Sequence, residues 1–183
     1  KPDAVLIAIG SSPITPPIPG IHEDYVIGSH DVLSGSEIDA KKAVVIGGGL
    51  VGIETAEFMA QKGIEVTVVE MRDNVLTELG QLRQIGTQFA LANEPITIMT
   101  KTTCNAIKDH KVMVESEGKE IELEADLVVV AVGSKTNDSK DLQEKCKEMN
   151  IPYYVVGDAV KPRLALDAIH DAYKAVLDIN SDN

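Results

Sequence analysis

The run Ala43-Val44-Val45-Ile46-Gly47-Gly48-Gly49-Leu50-Val51-Gly52, followed by Glu70 eighteen residues past its last glycine, decides the fold. Four apolar residues read as a buried strand that runs into a glycine turn, and a helix is predicted from about Leu50 to Lys62. Gly63 ends that helix, and 64–70 reads as the next strand. Gly47, Gly49 and Gly52 make up G-x-G-x-x-G, and each glycine has a separate job. Gly47 permits the tight turn off the strand, Gly49 lets the main chain approach a pyrophosphate, and Gly52 lets the helix lie close to the strand. The anion then sits at the helix N-terminus, where unpaired N–H groups and the positive end of the helix dipole converge.

A glycine pattern alone is a weak signal; strand before, helix after and acid at the end of the next strand make it a strong one. Glu70 is placed to accept hydrogen bonds from the ribose hydroxyls of an adenine dinucleotide. A carboxylate there repels a 2′-phosphate and favours NADH, while Arg72 keeps NADPH open. Residue 51 is Val, which disfavours the G-x-G-x-G loop of methyltransferases, and no Y-x-x-x-K pair marks a short-chain dehydrogenase. The competing structural reading is a glycine loop in some other βαβ protein, with Glu70 merely solvated.

Outward from this unit, Gly52, Ala56 and Ala60 form a small-residue stripe suited to close packing on a sheet. Leu79, Leu82, Ile85 and Phe89 predict a second amphipathic helix, and Pro95–Thr100 a strand. From Cys104 to Leu123 the period becomes two, as in an antiparallel meander. Asp126–Val132 reads as a buried strand ending at Gly133, followed by a polar helix near Ser139–Met149. Tyr153–Val156 is a further strand running into Gly157-Asp158. A last helix spans about Arg163–Ile179, with Ala165, Ile169, Ala172, Val176 and Ile179 on one face.

Upstream, residues 4–9 read as a strand buried on both faces, as parallel sheets require. Pro13, Pro16, Pro17 and Pro19 then exclude sheet pairing and suggest a stiff extended crossover. Ser29 is placed to cap a brief helix ending at Gly35. The fold class expected is α/β: a Rossmann-like parallel sheet with helices and an antiparallel meander, flanked by parts of another domain. The boundaries read as 1–40 for the first flank, 41–132 for the dinucleotide domain and 133–183 for the second flank. A chain opening at the threshold of a core strand looks cut from something larger.

Composition agrees with an ordinary globular core, at 44% apolar and 25% charged residues, although aromatics are so sparse that the core must be aliphatic. A formal charge of −12 argues against nucleic acid and anionic membrane partners. No apolar run is long enough to span a membrane, and no signal segment is evident, so a cytoplasmic location is expected. Cys104 and Cys146 form no C-x-x-C. Two free thiols are the favoured reading, with a disulfide between them left open. The scattered His22, His30, His110 and His170 offer no metal cluster.

With these motifs in place, the chain resembles the C-terminal pyridine-nucleotide-binding region of the NADH:flavin oxidoreductases, the iron–sulfur flavoenzymes of the 2,4-dienoyl-CoA reductase, 2-enoate reductase and trimethylamine dehydrogenase type. The resemblance rests on 3–10 (DAVLIAIG), Ile18-Pro19-Gly20, 45–54 (VIGGGLVGIE), 125–133 (ADLVVVAVG) and 156–163 (VGDAVKPR). It implies an NAD domain inserted into an FAD domain, with FMN and an iron–sulfur cluster on an amino-terminal barrel of the same polypeptide. The candidate cofactor-binding residues are Gly47, Gly48, Gly49, Leu50, Val51, Gly52, Glu54, Glu70, Met71 and Arg72. The resemblance adds Gly10 and Gly133 at the crossovers, and Gly157 and Asp158 toward FAD. It matches Glu54 to an acid near the nicotinamide; the alternative is a first-turn acid favoured by the helix dipole.

The chain departs from the pattern in places. Ile9 stands where Thr or Val is common, and neither the earlier FAD glycine fingerprint nor the iron–sulfur cysteines occur in these 183 residues. FAD is therefore expected to be held poorly by this chain, leaving Gly157 and Asp158 idle in the alternative reading. The activity implied is hydride transfer from NADH to a flavin, serving reduction of an enoate or enoyl substrate. Such a transfer needs orientation and water exclusion rather than an acid or base, so no catalytic residue is nominated. A second reading is a non-catalytic module holding ADP. A third, a pyridine-nucleotide-disulfide oxidoreductase, is disfavoured by the missing dithiol.

Overall fold

A computed structural model describes residues 2–91 and 94–181. The chain opens with β1 (Val5–Ile7), β2 (Ser11–Pro13) and β3 (Val26–Gly28), then α1 (Ser29–Leu33), β4 (Lys42–Ile46), α2 (Leu50–Ala60), β5 (Glu65–Val69), α3 (Gln81–Leu91) and β6 (Ile96–Met99). The meander β7 (Thr102–Lys108), β8 (Lys111–Ser116) and β9 (Lys119–Glu124) comes next. It is followed by β10 (Leu127–Val130), β11 (Ser134–Thr136), α4 (Lys140–Glu148), β12 (Tyr153–Val155) and α5 (Ala165–Ser181). These elements form two compact units, one of residues 15–133 and the other of 1–14 with 134–183.

In the unit 15–133, a five-stranded sheet has the order β3-β10-β4-β5-β6, parallel throughout. Its central strands β10, β4 and β5 are largely apolar on both faces because both faces are covered. Ala43, Val45, Val66, Val68 and Val129 face Ile53, Ala56 and Met59 of α2. Val44, Ile46 and Val128 face Ile107, Val112 and Val114 of the meander. Each fully buried aliphatic side chain contributes about 1.5–3 kcal/mol, so this double-sided core dominates the unit's stability. The stripe Gly52, Ala56 and Ala60 is buried. Gly63, at φ +86°, turns the chain out of α2 toward β5.

The unit of residues 1–14 and 134–183 contains two short ribbons. One pairs β1 with β12 in parallel, and the other pairs β2 with β11 antiparallel.

Several expectations need correction. The flank drawn to residue 40 ends at Ile14, because β3 adds an edge strand beside β10 and carries residues 15–40 into the larger sheet. One proline does pair: Pro13 sits at the end of β2, opposite Ser134, where one missing donor is tolerated, while Pro16, Pro17 and Pro19 lie outside any strand as expected. Strand β1 buries only Ile7, since a two-stranded ribbon cannot cover both faces. Ser29 is the first residue of α1 rather than its cap, and Asp31 instead accepts a hydrogen bond from the Gly28 N–H at 3.1 Å. Leu79 precedes α3 and is buried, whereas Leu82, Ile85 and Phe89 are exposed. Here α3 is anchored by Leu91 and by Val75, Leu76 and Leu79 ahead of it.

Candidate dinucleotide site

The glycine turn between β4 and α2 is bracketed on both sides of one residue. Gly48 donates its N–H to Glu70 Oε2 at 2.7 Å, and its carbonyl accepts the Leu76 N–H at 2.8 Å. Glu70 Oε1 accepts the Arg72 N–H at 2.8 Å. This carboxylate is only 7% exposed, so it is held by two charge-assisted bonds at the end of β5. Both oxygens keep lone pairs for further donors.

The turn has no room for side chains on its inner surface. A Cβ at Gly47 (φ +112°) would lie 2.4 Å from the Ala131 carbonyl oxygen. At Gly52 it would lie 2.0 Å from the Gly47 carbonyl oxygen, and at Gly48 2.6 Å from Val75 Cγ1. The first and third glycines of the pattern thus serve the turn and the helix–strand contact as expected. Gly48 proves as demanding, because its Cβ would collide with the segment after β5. Sequence spacing did not reveal that constraint, which depends on Val75 folding back under the turn.

The outer surface is uncapped, with the exposed Glu78 carboxylate beside Gly49. Gly49 precedes α2 in extended conformation, and no side chain caps the helix. The first intrahelical bond spanning the turn runs from the Ile53 N–H to the Gly49 carbonyl, 3.0 Å, and among the described residues the N–H groups of Leu50 and Val51 have no acceptor. Those donors, with the dipole of an eleven-residue helix behind them, suit a diphosphate.

Glu54 is exposed and lies past the first turn of α2, so the reading of it as a first-turn acid does not hold. Met71 is exposed, and Arg72 Nη1 donates to the Thr77 hydroxyl at 3.0 Å. Gly133 (φ +98°) closes the larger unit with open space about it, and Gly10 (φ +71°) is equally unobstructed in the smaller one. In the smaller unit, Asp158 accepts from Ser11 Oγ at 3.1 Å and from the Arg163 N–H at 3.4 Å. The Gly157 N–H donates to Asp171 at 3.2 Å, and Asp171 also pairs with Arg163. Asn137 ties this unit together, its N–H and side chain bonding Gly10, Ile9 and Ser12; nothing in the sequence pattern singled it out.

Among the described residues no group of His, Cys, Asp and Glu is placed to hold a metal ion. Both cysteines are buried and free. Burial pushes the Cys104 thiol up to about 11. Among the described residues, no helix is long and apolar enough to cross a membrane.

Residues 1–172 match the family model described as pyridine nucleotide-disulphide oxidoreductase. The chain belongs to that family. The missing dithiol disfavours this family on sequence, yet the match extends over both units without any C-x-x-C pair. The family binds FAD and NAD(P)H. Among individual relatives, a dihydrolipoyl dehydrogenase of Acholeplasma laidlawii is 34% identical over 96% of this chain and 57% of its own length. A cinnamate reductase of Clostridium sporogenes is 34% identical over 97% of this chain and 26% of its own. Of solved structures, a 2-naphthoyl-CoA reductase superposes with a TM-score of 0.85 at 34% identity, over 94% of this chain and 26% of that one. The chain therefore spans little more than half of the first relative and about a quarter of the other two.

Proposed function

We propose that the unit 15–133 of this oxidoreductase-family chain holds NADH for a flavin-linked reductase of the NADH:flavin oxidoreductase branch. The observation that carries this reading is the buried Glu70 carboxylate bonded to the Gly48 N–H, which sets acid and glycine turn in one rigid frame. The cradle fits the group, since the inner glycines are sterically obligatory and the outer N–H groups have no acceptor among the described residues. The N–H groups of Leu50 and Val51 would hold the diphosphate, with Gly49 giving it access. Glu70 would take the ribose hydroxyls on its remaining lone pairs and so select against a 2′-phosphate. Glu54 and Met71 would flank the bound nucleotide, and the exposed Arg72, which donates to the Thr77 hydroxyl, would lie beside the ribose and keeps NADPH as the second candidate. When bound, NADH supplies a hydride to a flavin.

On this reading Gly10, Gly157 and Asp158 belong to the FAD side of the protein, and Gly133 ends the unit that holds NADH. FMN and an iron–sulfur cluster would lie on a barrel of the same polypeptide. Likeness to proteins named cinnamate reductase and 2-naphthoyl-CoA reductase supports an enoate or CoA-thioester acceptor. Calorimetric titration of the chain with NADH and NADPH, alongside Glu70→Ala, tests the assignment. Saturable NADH binding that Glu70→Ala abolishes supports it, and equal negligible heats for both nucleotides overturn it. Flavin reduction by NADH in the full-length protein separates this function from a module that merely holds ADP.

A further inference from the structure

The space opened by the missing side chain of Gly49 is not empty. A Cβ there would lie 3.1 Å from Glu78 Oε1 and 3.8 Å from both the other oxygen and Cδ of the same carboxylate. Glu78 is exposed, on the segment that returns from β5 under the glycine turn. Its neighbours fix its place: Val75, Leu76 and Leu79 are buried, and the Leu76 N–H is bonded to Gly48. Leu76 is left-handed at φ +57°, a conformation that bulky residues adopt only when packing imposes it. The backbone carrying Glu78 is thus pinned to the turn, while its side chain ends on rotatable bonds in solvent.

We propose that Glu78 is an autoinhibitory carboxylate, an internal anion that competes with the nucleotide diphosphate for the N-terminal end of α2. The proposal rests on the dinucleotide-site reading above and adds a regulation of that site. A negative charge is favoured at this helix end whichever group supplies it. A diphosphate arriving at Gly49 meets a like charge against the same backbone, so the Glu78 side chain must rotate away before the nucleotide is seated. The competition is specific to the phosphates, because adenosine brings no charge to this point.

The test is calorimetric titration of the wild-type chain, Glu78→Gln and Glu78→Ala with ADP and, separately, with adenosine, at low and high salt. Both variants are expected to bind ADP about two- to fivefold more tightly, from an exposed charge beside a helix end. The gain should shrink at high salt, and adenosine should bind all three proteins equally. Unchanged ADP affinity in both variants, or an equal gain for adenosine, overturns the proposal while leaving the site assignment standing. Failure of all three proteins to bind ADP overturns the site assignment and this inference with it.

Discussion

Glu70 accepts the N–H of Gly48 at 2.7 Å, joining the end of the second central strand to the turn after the first. Its other oxygen accepts the Arg72 N–H, so both oxygens face donors and the group requires two acceptors. Glu70→Gln supplies only one and turns an amide N–H₂ toward a backbone donor. It is expected to cost about 1–3 kcal/mol, comparable to Glu70→Ala, because a buried donor loses its partner in either case. Chemical denaturation of the two variants checks this. Near-wild-type stability of Glu70→Gln would show that the carboxylate is not the turn's anchor.

The place of Glu70 at the end of the strand after the glycine turn was legible in the sequence, though its bond to Gly48 was not; the βαβ unit was legible because strand, turn and helix are written in adjacent residues with their own local chemistry. Less local features were not. Val26–Gly28 is too short to announce itself, and only its partner Val128–Val130 makes it a strand. Pro13 looked unable to pair until Ser134 stood opposite it at a ribbon end. Periodicity correctly marked α3 and α5 as amphipathic, yet a pattern states which residues share a face and not what covers it. Glu78 carries no motif at all, and only the fold-back of residues 71–79 sets it against Gly49.

The glycines separate by what surrounds them. Gly47→Ala and Gly52→Ala drive a methyl group into carbonyl oxygens at 2.4 and 2.0 Å, and each is expected to cost about 3 kcal/mol or more. Gly86, inside α3 with nothing within 4 Å of its Cβ position, is the opposite case. Gly86→Ala should stabilise the chain by about 0.5–1 kcal/mol through helix propensity alone. Urea midpoints of the three variants provide the comparison. A tolerated Gly52→Ala would contradict the close helix–strand approach.

Acid sensitivity should have an identifiable contribution from Asp126. The N–H groups of Lys42 and then Lys41, each at 2.9 Å, hold its carboxyl below the ordinary 3.8. A depressed folded-state pKa means that the unfolded chain binds the proton more readily. The stabilisation is therefore full above the unfolded value and fades as pH falls through the lower folded one. Asp126→Asn removes it at all pH values. The melting temperatures of wild type and variant should differ near neutrality and converge as the solution becomes more acidic than the ordinary carboxylate range. A constant difference down the whole acid limb would assign the effect to packing instead.

The last helix tests what an amphipathic face is worth when the described residues leave it open. In α5, Ile169 and Tyr173 are each 63% exposed, whereas Ala175 is only 4% exposed. Ile169→Lys and Tyr173→Lys keep good helix propensity and place the ammonium in water, so each should change stability by no more than about 0.5 kcal/mol. Ala175→Lys instead forces a long charged side chain into a filled space and should cost about 2 kcal/mol or more. Thermal unfolding followed by circular dichroism distinguishes the two classes. A large loss from Ile169→Lys in this chain would mean that the face is buried in solution, with the exposed stripe of α5 closed over by another surface.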